Sequence, residues 1–227
     1  MTTTAATSPP PPAAPARTLT GRGERTRRRL LEAAEAVFGE HGYHAASIVK
    51  ITEQAGVAQG TFYLYFRTKA QIFEELVDDL NGRVRRAMAE SAAAAADRVD
   101  AERLGLLGFL DFTARHPALY RIIQQAEYVA PAAMRRHYER IATAYAEGLR
   151  EAMGRGEIPA SDPEVLAWSL MGIGEMVGMR WILWREQGRR GRGAPVVPGE
   201  VFAEVIAFIT RGLGAAPAQP ARRPPRR

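Results

Sequence analysis

The chain of 227 residues contains no cysteine. That absence excludes disulfides, thiolate nucleophiles and cysteine-bound zinc, and it fits a reducing compartment. A charge-free apolar run long enough to span a bilayer is also missing. The most apolar stretch, residues 165–184, is broken by Glu175 and Arg180 and punctuated by Gly172, Gly174 and Gly178, so it reads as a buried helix of a cytoplasmic protein with no membrane partner. The first 16 residues are mostly Thr, Ala and Pro without a charged side chain, and they lack both the basic and the apolar region of a secretory signal. Alternation of period two is absent as well, which leaves no expectation of strands.

What is present is positive charge, unevenly placed. Basic side chains outnumber acidic ones 31 to 25. Residues 17–70 carry nine basic and five acidic groups, residues 71–210 carry 17 and 20, and residues 211–227 carry five and none. A basic N-terminal part points to a polyanionic partner, while the slightly acidic middle argues against a chain that coats nucleic acid throughout.

Helical periodicity runs through everything except the ends, which predicts an all-α fold. Residues 1–20, with Pro9 to Pro12 consecutive, and the Arg/Pro-rich residues 214–227 read as disordered tails. Between them lie a small helical module over 21–70 and a larger one over 71–213. Helix 1 is expected from about Gly23 to Glu40, ended by Gly39 and Gly42. A short helix over 48–54 capped by Ser47, a turn at Ala55-Gly56-Val57, and a second short helix over 58–64 follow. Thr68 and Gln71 have capping-box spacing for a long amphipathic helix over about 68–90. Further helices are expected near 101–115, 117–127, 131–154, 163–187 and 199–213, with Asp162-Pro163 as an N-cap and first-turn proline.

Two short helices joined by a glycine-containing turn make a helix-turn-helix, whose second helix has the width to enter a major groove. The residues Ser47-Ile48-Val49-Lys50-Ile51-Thr52-Glu53-Gln54-Ala55-Gly56-Val57-Ala58-Gln59-Gly60-Thr61-Phe62-Tyr63-Leu64-Tyr65-Phe66-Arg67-Thr68-Lys69 closely resemble the N-terminal DNA-binding domain of the TetR family of transcriptional regulators. The likeness covers about residues 24–80. It implies a homodimer with a variable C-terminal ligand domain and repression relieved by a small effector.

The residue chemistry is compatible with that implication. Gln59 can pair bidentately with adenine, Thr61 or Leu64 can touch a thymine methyl, and Tyr63 lies beside them. Ser47, Lys50, Tyr63, Tyr65 and Lys69 suit phosphate contacts, as does Arg28 from the Arg25, Arg27, Arg28, Arg29 cluster. Gly60 supplies no side chain, which suits close backbone approach. Phe62 and Phe66 are expected in the core.

In the larger module, Leu166, Leu170, Ile173, Val177, Trp181 and Trp184 are expected on one side of the 163–187 helix, with Trp168, Met171, Glu175, Met179 and Ile182 on the other. One face is expected to meet a second subunit together with the last helix. A cavity for a small hydrophobic ligand is expected from Phe109, Phe112, Tyr120, Gln124, Tyr128, Tyr138, Trp168, Met171, Glu175 and Met179, joined by Ile123 and Tyr145. Glu175 needs a partner in such surroundings, with Arg121, Arg180 or a ligand group as candidates. The stretch His116-Pro117-Ala118-Leu119-Tyr120-Arg121-Ile122-Ile123, with residues 148–159 and 168–184, resembles TetR regulators of acyl-CoA or aromatic-acid metabolism, which implies an acyl-CoA-like effector.

Enzyme signatures are missing. There is no Gly-x-Ser-x-Gly, Walker loop or paired-carboxylate motif, and His41 and His44 lack neighbouring ligands. Neither a metal nor a cofactor is expected. The alternatives are a helical small-molecule binder or enzyme with a vestigial helix-turn-helix, and a non-specific nucleic-acid binder driven by the arginine-rich tails.

Overall fold

The computed structural model describes residues 21–184 and 197–214, all helical or connecting, with no strand among them. The expected tails at 1–20 and beyond 214, and the end of the 163–187 helix past Trp184, lie outside the described residues. The helices are α1 (Gly21–Ala45), α2 (Ile48–Ala55), α3 (Gln59–Tyr63), α4 (Lys69–Ala92), α5 (Arg98–Arg115), α6 (Ala118–Val129), α7 (Pro131–Gly154), α8 (Pro163–Gly178) and α9 (Gly199–Gly212). No described helix is long and apolar enough to cross a membrane.

Helix starts follow the capping chemistry. Ser47 Oγ accepts from Lys50 N at 3.1 Å and Asp97 Oδ1 from Asp100 N at 2.8 Å, while Asp162 receives both Glu164 N and Val165 N. Thr68 Oγ1 accepts from Gln71 N at 3.0 Å, but the Gln71 side chain reaches back to Arg67 N rather than to Thr68 N. The expected box is therefore displaced by one residue on its return arm.

Two expected boundaries move. Helix α1 continues through Gly39 and breaks only at Gly42, whose φ of 75° is open to glycine without strain. Gly39 has a packing role instead: a Cβ there would press on Ala118 Cβ of α6. Helix α8 ends at Gly178 and passes into a π-helical turn, Met179–Leu183. The extra residue in that turn shifts the phase, so Trp184 is exposed while Val177 and Ile182 are buried.

Two apolar clusters hold the chain together. The first joins Leu30, Phe38, Ile51, Phe62, Phe66 and the α4 stripe from Ile72 to Val84 with Ile122 and Ala126 of α6. The second joins Leu106 and Leu110 of α5 with Leu149, Ala167, Leu170 and Ile209. Their seam is tight. Gly178 of α8 faces Tyr120 of α6 so closely that a Cβ would overlap the tyrosine hydroxyl. Gly178→Ala is therefore expected to cost about 1–3 kcal/mol of stability in thermal unfolding. Adding Tyr120→Phe should recover most of that loss, and the double-mutant cycle measures the clash directly.

Candidate nucleic-acid interface and effector cavity

Helices α2 and α3 meet at a turn in which Gly56 takes φ 62°, ψ 41°, and sends its N–H to Glu53 O at 3.0 Å. Val57 N donates to Thr52 O at 3.0 Å. The turn is clamped from α1, because the Arg29 guanidinium donates to the carbonyls of Ala55 and Gly56. Arg27 pairs with Glu75 and lies over the Phe66 ring. Two members of the arginine cluster thus brace the fold, whereas Arg28 is exposed.

Helix α3 has only five residues, and its orientation is set by Phe62 within it and Phe66 just after it, both fully buried. With those rings inward, Gln59, Gly60, Tyr63 and Leu64 face outward, Tyr63 at 52% and Leu64 at 75% exposure, and Thr61 and Tyr65 are half-buried at the margin. A Cβ on Gly60 would meet nothing within 4 Å, so the fold itself does not require glycine there. Lys50 is exposed beside the capping Ser47. Lys69 is placed differently from a free phosphate ligand. Its Nζ donates to Tyr43 O at 2.7 Å and Ala46 O at 2.9 Å and lies 4.4 Å from the Tyr43 ring centroid, tying the start of α4 to the end of α1.

Polar ties fix the same end of α1 to α6. Arg121 Nη1 donates to Gly39 O at 3.0 Å, and Tyr43 N donates to Gln125 Oε1. From α4, Arg83 Nη1 donates to Glu35 Oε2 at 2.7 Å, and the other Glu35 oxygen lies 2.9 Å from His116 Nδ1.

A cavity with about 70 Å³ of free volume lies among α4 to α8, with Ile209 of α9 at one side, and has room for no more than a few waters. Phe109, Tyr120, Tyr138, Met171 and Glu175 line it, together with Ile123 and Tyr145. Five other expected members do not. Phe112 turns into the first core, under Arg83 and beside the His116 ring. Gln124 is exposed, near Met179 Sδ at 3.8 Å, and takes Met179 with it away from the cavity. Tyr128 is 83% exposed, and Trp168 lies on the outer side of α8 at 44% exposure. Helical spacing alone could not tell the inner from the outer side of α6 and α8.

Glu175 finds neither Arg121 nor Arg180. Its Oε1 accepts from Tyr138 Oη at 2.7 Å, and Arg180 lies over the Trp181 ring. Burial, reinforced by Glu175, raises the Tyr138 phenol well above its ordinary value. Sequence reasoning missed Glu102 and His137. Glu102 is buried between Arg98 and Tyr145, both hydrogen-bonded to it, and an acid one turn after an arginine gives no sign of being internal. Tyr145 is raised by its burial and by Glu102. Among the described residues the buried Tyr120 hydroxyl has no aligned hydrogen bond, and neighbouring Thr113 donates to the carbonyls of Phe109 and Leu110.

His137 sits in α7 with Asn81 Nδ2 3.3 Å from its Nδ1 and 2.9 Å from its carbonyl oxygen. Burial lowers its pKa to about 4, with Asp78 pulling weakly upward. The unfolded chain would take up this proton near pH 6.5 and the folded one only near 4. Stability from this group is thus complete above 6.5 and falls by up to about 3 kcal/mol as pH drops to 4. His137→Gln should flatten that part of the stability profile in urea titrations at a series of pH values.

A capped helix-turn-helix on a helical body with its own internal cavity defines an all-α architecture. Residues 30–76 match the family described as bacterial regulatory proteins, tetR family. An uncharacterised HTH-type transcriptional regulator of Bacillus subtilis, YdgC, is 43% identical over 68 residues, covering 30% of this chain and 35% of its own. The HTH-type transcriptional activator FasR of Mycolicibacterium smegmatis is 33% identical over 107 residues, 45% of this chain and 47% of its own. The chain thus spans between a third and a half of these curated relatives. The fatty acid degradation regulator FadR from Bacillus halodurans has the same fold, with TM-score 0.71 at 21% identity over 84% of this chain and 97% of that one. FadR from Bacillus subtilis in complex with stearoyl-CoA gives 0.68 at 22% over 82% and 98%. The likeness to the tetR family thus lies in residues 30–76, and the solved regulators share the fold of the larger part of the chain.

Proposed function

We propose that the protein is a dimeric, ligand-responsive repressor of transcription that binds a near-palindromic operator and is released by a small hydrophobic or acyl-CoA-like effector. The observation that carries this reading is the outward face of α3, where Gln59, Gly60, Tyr63 and Leu64 are presented by a helix that the core holds from behind. In this reading those four, with Thr61, address base edges, while Ser47, Lys50, Tyr65 and Arg28 hold phosphates. Lys69 acts chiefly by fixing the mutual position of α1 and α4.

Dimerisation is supported by apolar surface that one chain leaves uncovered. Val165, Trp168, Gly172 and Met176 form an exposed stripe along α8, and on α9 Phe208 is 59% exposed while Ile209 alone is buried. Pairing α8 and α9 with their symmetry mates would bury this surface. Two α3 helices then address successive major grooves about 34–36 Å apart.

The effector reading is supported by the cavity and by the stearoyl-CoA bound to the Bacillus subtilis relative. A chain-like ligand cannot enter about 70 Å³ unless the walls move. Helix α6 carries Tyr120 in that wall and, on neighbouring residues, Arg121 and Gln125 bound to α1. Displacing α6 would therefore turn α1 and change the spacing of the α3 pair. The effector shifts the population by its difference in affinity for the two forms.

Gly60→Ala separates folding from recognition. It should raise thermal stability by about 0.5–1 kcal/mol, as replacing a helical glycine does, yet weaken operator binding in gel shifts about tenfold by holding the backbone off the duplex. Tyr63→Ala should weaken operator binding by a similar factor with stability unchanged. Retention of full affinity by both variants would refute the recognition face. Phe208→Glu should yield a monomer in sedimentation velocity, with loss of specific binding.

A further inference from the structure

Beside the cavity lies an open groove of about 460 Å³ between α4, α5 and α7. The two spaces share Met88, Ile141 and Tyr145, so these side chains stand in the wall of both. The groove's lining is polarised. Among the described residues it includes Arg85, Arg86 and Arg98 and no carboxylate, whereas the cavity holds Glu102 and Glu175 and no arginine. Arg98 is committed to Glu102. Arg85 and Arg86 are exposed on α4, and neither makes an ion pair or hydrogen bond with another described residue. The small floor residues Gly82 and Gly105 have open space where a Cβ would stand.

We propose that this groove binds the phosphate-bearing head of an acyl-chain ligand, gripped by Arg85 and Arg86, while the chain passes Met88 into the cavity. The proposal rests on the effector reading above and specifies the polarity of its site. Guanidinium groups favour phosphate through paired, charge-assisted hydrogen bonds. A flexible thioether such as Met88 yields to a passing chain. A free fatty acid suits the site poorly in either direction. With its chain inside, it offers the two arginines a single carboxylate, where a phosphate head offers more charged oxygens. Reversed, it places its carboxylate among Glu102 and Glu175, where like charge repels it. A phosphate-bearing head, as in an acyl-CoA or a lysophospholipid phosphate, therefore suits the groove better.

The test is calorimetric titration of the full-length protein with palmitoyl-CoA, palmitoyl-lysophosphatidate and palmitate, repeated with the Arg85→Ala/Arg86→Ala variant. At least one phosphate-headed ligand should bind ten times or more tightly than palmitate, and which one does so identifies the source of the head. The double variant should lose tenfold or more of that affinity and most of its salt dependence, while palmitate binding and ligand-free operator binding stay unchanged. Equal binding of palmitate, or undiminished binding by the variant, overturns the groove assignment and leaves the effector reading standing. Failure of all three ligands to bind overturns both, and gel shifts on the same samples establish whether DNA recognition survives.

Discussion

The interior position of Phe62 and Phe66 is the constraint on which the rest depends. A helix of five residues is far below the length at which a helix persists alone in water. Helix α3 exists because Phe62 within it and Phe66 beside it are fully buried in the apolar cluster that also holds residues of α1, α2 and α4. Once these rings are inside, the remaining positions have no choice of direction, and Gln59, Tyr63 and Leu64 must look outward. The Arg29 clamp on the Ala55 and Gly56 carbonyls fixes the other end of the motif from α1. Presentation of the outward face of α3 is thus a by-product of core packing, and it needs little rigidity within α3 itself.

The same packing binds the small module to the large one. The first apolar cluster does not stop where α4 begins but continues along that helix and includes the inner side of α6. Around it lies a ring of polar ties: Lys69 to the last carbonyls of α1, Arg121 to Gly39, Gln125 to Tyr43, and Glu35 shared by Arg83 and His116. Ties of this sort are directional where apolar contact is not, so they fix the angle of α1 relative to α4 and α6. Gly39 against Ala118 removes the remaining slack, since nothing larger than hydrogen fits between the helices.

Local chemistry was legible in the sequence to the extent that it was carried by neighbouring residues. Ser47, Gly56, Thr68 and Asp162 each mark a cap or turn through groups two to four residues away, and the structure places them there. Phe62 and Phe66 were legible because apolar side chains three or four apart within a polar motif have one place to go. Long-range geometry was not. Glu102 has the spacing of a surface ion pair, His137 lies among arginines, and Gly39 resembles a terminator, yet each is explained by a residue on another helix. Tyr128 and Trp168 failed in the opposite sense, because aromatic character says a ring wants cover without saying whether this chain or another supplies it.

The π-helical turn at Met179–Leu183 bears on how this region tolerates change in chain length. A π turn holds one residue more than the α-helical path needs, and removing that residue would let the segment close into regular α-helix without breaking the backbone ladder. Trp184 would then move around the axis by roughly a quarter turn while Val177 stayed in place. At this point a single-residue deletion acts as a rotation of Trp184 and not as a rupture, so relatives differing by one residue here would offer a different side chain to the same neighbour.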